Sequence, residues 1–163
     1  EASKASTGNL EVCLQPCVAS VFLIQADGEY EEKLQKADLT LVVQQTGSEL
    51  RILADGRRMW RVFDNLMNNI CKYAQPGTRV YLILEEKEKK AVITFKNTSR
   101  DALKISEEEL MERFVRGDSS RNTEGNGLGL SIARSLTEVQ KGTLSIKIDG
   151  DLFKAVLEFQ VIE

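Results

Sequence analysis

Residues 57–74, RRMWRVFDNLMNNICKYA, carry the clearest amphipathic pattern in the chain. Met59, Val62, Phe63, Leu66, Met67, Ile70 and Ala74 recur at three- and four-residue steps, which lines one face of an α-helix with apolar groups. That face predicts core. Asp55-Gly56 opens the helix and Pro76-Gly77 ends it. The opposite side holds Arg61, Asp64, Asn65, Asn68, Asn69, Lys72 and Tyr73, with Asn65 and Asn69 stacked one turn apart.

Asparagine inside a helix costs up to ~0.7 kcal/mol relative to alanine. A solvated polar face is one account of the asparagines at 65, 68 and 69, but Glu, Lys or Gln would build such a face at lower cost. The alternative is a set of carboxamides aimed at a ligand that needs both oxygen acceptors and N–H donors. Hydrated Mg²⁺ carrying phosphates is such a ligand, since it keeps only one or two oxygens from protein. Lys72 would add a point charge for phosphate.

Working outward, Cys17 to Lys36 reads as a helix, and 39–44 and 49–54 as short strands. Thr78 to Glu86 and Ala91 to Asn97 are strands around a solvated charged turn, Glu85 to Lys90. Ser106 starts a short helix (SEEEL is a capping box) that runs to about Phe114. Residues 115–126 form a loop, Gly127 to Gln140 a helix closed by Gly142, and 143–149 and 152–161 two last strands. This order predicts an α+β fold, a two-layer sandwich in which three helices cover one face of a mixed sheet. Residues 1–9, small and polar, read as the end of a preceding helix plus a linker, and 10–163 as one domain.

Composition narrows the chemistry. The 163 residues hold 22 Lys and Arg against 25 Asp and Glu, a net charge of −3 that gives no reason to expect a nucleic-acid surface. Histidine is absent, which removes Ser-His-Asp triads, Cys-His pairs, HExxH zinc sites and any imidazole base. Cys13, Cys17 and Cys71 form no CxxC pair and read as thiols of a reducing compartment. Apolar runs such as Val21 to Ile24 are far short of the ~20 residues of a membrane span. With no signal peptide and no initial Met, the sequence reads as a cytoplasmic piece of something longer.

A second constellation is Glu124-Gly125-Asn126-Gly127-Leu128-Gly129-Leu130-Ser131-Ile132-Ala133. Glycines at 125, 127 and 129 let a backbone approach phosphate closely, and the helix that follows offers free N–H groups and the positive end of its dipole. It is neither GxxxxGK[ST] nor GxGxxG, so the P-loop and the dinucleotide fingerprint are excluded. Alone, such a run is also consistent with a flexible hinge. Arg116 to Asn122, mobile and basic-polar in character, suits a lid, or a plain surface loop.

Taken together and in this order, the two segments resemble the catalytic ATP-binding domain of sensor histidine kinases, within the ATPase superfamily shared with gyrase B, the ninety-kilodalton heat-shock chaperones and MutL. Asn65 to Tyr73 is similar to the family's N box, Glu112 to Arg121 (ERFVRGDSSR) to its F box, and Gly125 to Leu130 to its G2 box. The resemblance spans about residues 10–161. It implies the Bergerat fold, with a mixed, mostly antiparallel sheet. It implies ATP and Mg²⁺ as cofactors, with Asn69 as metal ligand and Asn65 lining the same region. Lys72 and Tyr73 would contact phosphate and nucleotide, Arg116 would face the γ-phosphate, and Gly125, Gly127 and Gly129 would wrap the phosphates. Asn97, Phe114, Leu128 and Leu130 would line the nucleotide.

In gyrase-like relatives a glutamate at the position of Asn65 activates water. Asparagine cannot take a proton, so the resemblance implies transfer to a histidine rather than hydrolysis, a reaction in which positioning and charge stabilisation do most of the catalysis. One departure stands out. Where the family has DxGxG, this chain has Asn97-Thr98-Ser99-Arg100-Asp101. A carboxamide can still accept from the adenine amino group, though a neutral acceptor is weaker by roughly a factor of two. The implied partners are the dimerisation and phosphoacceptor hairpin of a homodimeric parent, whose fragment would itself be monomeric, and a response regulator downstream. The parent could be anchored in the plasma membrane. Two other functions remain open: a nucleotide-binding scaffold without transfer, and a serine-directed kinase of the anti-sigma-factor type.

Overall fold

A computed structural model of the chain describes residues 12–45, 49–100 and 126–162, with only the backbone at 126–129. The apolar face of the asparagine-bearing helix organises the whole molecule. This helix, α3 (Gly56–Tyr73), buries Met59, Val62, Phe63, Leu66, Met67 and Ile70, as its spacing predicts. Ala74, just past its end, is buried as well. Phe63 is fully buried among Phe22, Trp60 and Phe95, with ring centroids 5.7, 6.3 and 5.0 Å away. Such a cluster of aromatic faces and edges dominates the core it sits in.

Among the described residues seven strands form one sheet: β1 (Gln15–Val18), β2 (Leu39–Gln45), β3 (Arg51–Ala54), β4 (Thr78–Lys87), β5 (Lys90–Thr98), β6 (Thr143–Asp149) and β7 (Leu152–Ile162). The order is β1-β3-β7-β5-β4-β2, with β6 also paired to β7. The long β7 therefore has two partners along one edge: β6 along Leu152 to Glu158, and β3 at Val161 and Ile162. Among the described strands only β2 and β4 run parallel. The sheet is mixed and mostly antiparallel, as expected.

Burial alternates along the central strands. Ala91, Ile93, Phe95 and Asn97 of β5 and Phe153, Ala155, Leu157 and Phe159 of β7 face the helices. Four described helices supply the other layer: α1 (Ala19–Glu29), α2 (Glu31–Lys36), α3, and α4 (Asn126–Val139). All four contribute to one apolar cluster with the inner face of the sheet.

The expected helix from Cys17 to Lys36 is three elements. Its first two residues belong to β1, which among the described strands pairs only with β3. Pro16 lacks an N–H, and an edge strand is where a sheet tolerates that. The remainder breaks at Tyr30 into α1 and α2, with the Tyr30 ring drawn into the core. At the charged hairpin, Glu88 and Lys89 both take positive φ (52° and 65°), the twist that a two-residue connection between antiparallel strands favours. The helix expected from Ser106 to Phe114 and the loop after it lie outside the described residues.

Candidate nucleotide site

The start of α3 is pinned by Asp55. Its Oδ1 accepts from the Arg57 and Arg58 amides at 3.1 and 3.3 Å, and its Oδ2 from the Cys13 amide at 2.9 Å and the Arg58 guanidinium at 2.7 Å. Burial opposes ionisation of this carboxyl, but the donors from Cys13 and Arg58 outweigh it and hold its pKa below the usual carboxylate range. The Asp55 amide in turn donates to Oε1 of buried Gln140 at 2.8 Å, and Gln140 Nε2 donates to the Leu136 carbonyl at 2.9 Å. The end of α4 is thereby fixed to the start of α3.

α3 and α4 pack side by side, so with those ends joined they run in opposite directions. The 14 residues of α4 rise about 21 Å, which brings its first turn level with Asn69 and Ile70 on α3. Gly127, Leu128 and Gly129 lie in that first turn. Its free amides and the positive end of the helix dipole suit an anion. The two motifs, about 55 residues apart in the chain, meet at one end of one helix pair.

The far end of α3 is tied to β5. The Gln75 amide donates to the Thr98 carbonyl and the Arg100 amide to the Tyr73 carbonyl, both at 2.8 Å. Phe95 packs against Phe63 near the middle of the helix. From Phe63 to Tyr73 is about 15 Å along a helix, and from Phe95 to Arg100 about 16 Å along a strand, so the two elements keep pace. Asn97, between those anchors and on the helix-facing side, lies abreast of the Asn65–Asn69 turn.

Two polar atoms in this region are buried without a hydrogen-bond partner among the described residues: Asn65 Nδ2 and Asn97 Oδ1. Unsatisfied buried donors and acceptors are costly, about 1–3 kcal/mol each. One is an N–H donor and the other a C=O acceptor, and both belong to the residues that the nucleotide reading singled out.

The rest of the polar face divides by role. Asn69, Lys72 and Tyr73 are half-buried beside Asn65. Asn68, one residue away, instead accepts from Lys33 Nζ at 3.1 Å and ties α3 to α2. Asp64 accepts from the Tyr30 hydroxyl, and that hydroxyl is pushed well up by burial first and by Asp64 second. Leu130 is fully buried in the core, which leaves its side chain a packing role. Half-buried Cys71 has its thiol pushed up by burial, with Lys33 opposing, so it stays protonated. Phe114, Arg116 and Gly125 lie outside the described residues.

The residues present fit a magnesium-bound phosphate ligand. Asn69 offers one hard oxygen. Among the described residues no group of three or more His, Cys, Asp or Glu is placed to hold a metal, and Mg²⁺ commonly takes one or two oxygens from protein and the rest from phosphate and water. No sequence pattern marks the Asp55–Gln140 clamp, which sets how α4 meets α3. Asp55 has a local signal as helix cap, whereas nothing local links it to a glutamine 85 residues on.

Comparison with known proteins gives a consistent picture. The family described as histidine kinase-, DNA gyrase B- and HSP90-like ATPases matches residues 54–160. The probable sensor protein PcoS of Escherichia coli is 34% identical over 123 residues, covering 74% of this chain and 26% of that protein. The chain spans about a quarter of the length of the first curated relatives it matches. Among solved structures, the nucleotide-free catalytic domain of histidine kinase ThkA superposes with a TM-score of 0.77 at 21% identity, covering 91% of this chain and 95% of that one. ThkA in complex with response regulator TrrA gives 0.74 at 18% identity, over 99% of this chain and 47% of that one. Full-length ShkA in complex with AMPPNP gives 0.76 at 20% identity, over 93% and 32%. These likenesses show the same fold. No helix among the described residues is long and apolar enough to cross a membrane.

Proposed function

Because the chain belongs to the family of histidine kinase-, DNA gyrase B- and HSP90-like ATPases, we propose that it is the ATP-binding catalytic domain of a sensor histidine kinase, passing the γ-phosphoryl group of ATP to a histidine on a dimerisation hairpin. The chain has no histidine of its own, so the acceptor belongs to another segment. Residues 10–163 would form the catalytic domain and 1–9 the tail of the segment before it. A response regulator would receive the phosphoryl group next. The one observation that carries the reading is the pair of unsatisfied buried amide atoms, Asn65 Nδ2 and Asn97 Oδ1, on two elements that converge near the start of α4.

In this reading Asn97 Oδ1 accepts from the adenine amino group. Asn65 Nδ2 donates to the nucleotide's phosphate or ribose side. The Asn69 carboxamide oxygen holds Mg²⁺, Lys72 balances phosphate charge, and Tyr73 borders the nucleotide. The amides of the first turn of α4, at Gly127, Leu128 and Gly129, cradle phosphate. Leu130 anchors that turn in the core. By family resemblance Arg116 would face the γ-phosphate, Phe114 would line the nucleotide and Gly125 would wrap the phosphates. Bound magnesium supplies charge neutralisation at the transferring phosphoryl group. No residue at position 65 or 69 can take a proton, so these side chains orient and stabilise rather than activate water.

The test mixes the chain with the phosphoacceptor hairpin that adjoins it in its parent, Mg²⁺ and γ-labelled ATP. Acid-labile label on the hairpin is expected. Binding without transfer would replace this reading with a nucleotide-binding scaffold. Acid-stable label on serine or threonine of a partner would replace it with a serine-directed kinase.

A further inference from the structure

The sheet face turned away from the helices carries a row of lysines set directly against one another. In register, Lys96 of β5 is opposite Lys154 of β7, and Lys154 is opposite Lys147 of β6. All three project from the outer face, since their neighbours in each strand are the core-facing residues. Like charges opposite one another across strands are destabilising. Other lysines on this face have acids: Lys90 lies 3.8 Å from Glu158 and Lys87 3.7 Å from Glu85. Lys147 and Lys154 have no acidic partner among the described residues, and Lys96 rests over the Tyr81 ring at 5.0 Å. Two residues along the strands the next row is less polar, with Ile83 of β4, Thr94 of β5 and Val156 of β7 in line. The two rows form one part of a shallow groove of about 790 Å³ that no described helix covers; its other part carries Glu85, Glu88 and Glu158 beside Lys87 and Lys90, so the unbalanced positive charge lies at the lysine row.

From this pattern we propose that the outer sheet face is a docking surface for an acidic amphipathic helix of a partner protein, laid across the strands. The argument is charge complementarity and pitch. Neighbouring strands are about 4.8 Å apart, so the three lysines span roughly 10 Å in a line perpendicular to the strands. Acidic residues at i, i+4 and i+7 of a helix climb about 6 and 4.5 Å, which meets the three in turn. An apolar stripe beside the acidic one then falls on Ile83, Thr94 and Val156. Binding relieves the repulsion within the row. This face lies on the other side of the sheet from Asn69 and Asn97, so the inference stands independently of the nucleotide reading.

The chain is titrated, at low and at moderate salt, with a synthetic helical peptide carrying Glu at i, i+4 and i+7 beside a Leu stripe. A scrambled peptide of the same composition, inorganic polyphosphate and phosphatidylserine vesicles are titrated in parallel. The patterned peptide is expected to bind at least tenfold tighter than the scrambled one. Its affinity should fall at least tenfold in Lys147→Gln/Lys154→Gln, with nucleotide binding unchanged. Equal affinity for the scrambled peptide, no binding, or tighter binding of polyphosphate or vesicles than of the patterned peptide overturns the proposal. Lys154→Gln gives a second readout: removing the middle charge should raise Tm by about 2 °C at low salt and less at high salt. A Tm that stays or falls at low salt also overturns it, because the row would then hold no repulsion to relieve.

Discussion

Gln140 and Asp55, 85 residues apart, share a buried hydrogen bond of 2.8 Å that joins the end of α4 to the start of α3. Because one end of the helix pair is fixed, the position of the other end, where the glycines of α4 come level with Asn69, follows from helix length alone. Gln140→Ala would strand the Asp55 amide in the core and free α4 to slide. It should cost about 1–3 kcal/mol in urea unfolding and weaken ATP binding although residue 140 is remote from the ligand. A loss of stability with ATP affinity unchanged would show that the clamp serves the fold only.

Asp55 makes the same junction sensitive to acid. Its carboxyl titrates below its unfolded value, so the unfolded chain binds the extra proton first as pH falls. The stabilisation is complete above the unfolded pKa, near 3.9 for aspartate, declines below it, and is gone once the folded carboxyl is protonated. Asp55→Asn keeps an oxygen to cap α3 but loses the charge facing Arg58. Urea unfolding at pH 7 should find it about 1–2 kcal/mol less stable than the parent chain, and the gap should narrow below about pH 4. A constant gap from pH 7 to 3 would mean that the charge on Asp55 contributes nothing.

The end of α4 predicts two substitutions of opposite sign. Gly142 reads in sequence as the helix stop, yet the positive φ (70°) falls on Lys141. The Gly142 amide reaches back to the Thr137 carbonyl at 3.0 Å, completing the turn. What requires glycine at 142 is closeness, since an added Cβ would stand 2.7 Å from the Phe159 ring and 2.9 Å from the Glu158 carbonyl oxygen. Lys141→Gly should therefore stabilise by about 0.5–1 kcal/mol by removing a left-handed non-glycine residue. Gly142→Ala should destabilise by about 1–3 kcal/mol through overpacking. Thermal unfolding of the two variants checks both signs.

Much of this was legible in the residues because it is local. The 3.6-residue period of α3 fixed its buried face, and the β4–β5 hairpin was marked by a charged turn between alternating strands. What escaped was decided by distant partners. Cys17 and Val18 look helical in isolation but pair with Ile52 and Arg51 of β3. Asn65, Asn68 and Asn69 are one pattern in sequence, yet the Asn68 oxygen accepts from a lysine on α2, while the Asn65 Nδ2 donor is buried without a partner among the described residues. Leu130, implied by family likeness to line nucleotide, sits in the core because period 3.6 aligns it with Ala133 and Leu136. No pattern internal to β5 distinguishes Asn97 from a strand residue with a chance polar side chain. Only its resemblance to an adenine-binding position does so; the structure adds that its Oδ1 is buried without a partner among the described residues.

Asn97 offers the sharpest test, because its effects on stability and on binding should part company. In the free chain its Oδ1 is buried without a partner among the described residues, a cost that binding would remove. Asn97→Ala deletes that unpaired acceptor, so the free protein should be no less stable, while ATP affinity should drop about tenfold and preference for ATP over GTP should fade. Asn97→Asp supplies a charged acceptor of nearly the same shape. It should bind ATP more tightly, about twofold to tenfold, yet lose stability when empty, because the carboxylate would be buried beside Phe95 and Phe153. Calorimetric titration with ATP and GTP, alongside urea unfolding of each variant, separates the two effects. If Asn97→Ala lowers stability while ATP and GTP binding both stay as they were, residue 97 is a core contact and the adenine pocket lies elsewhere.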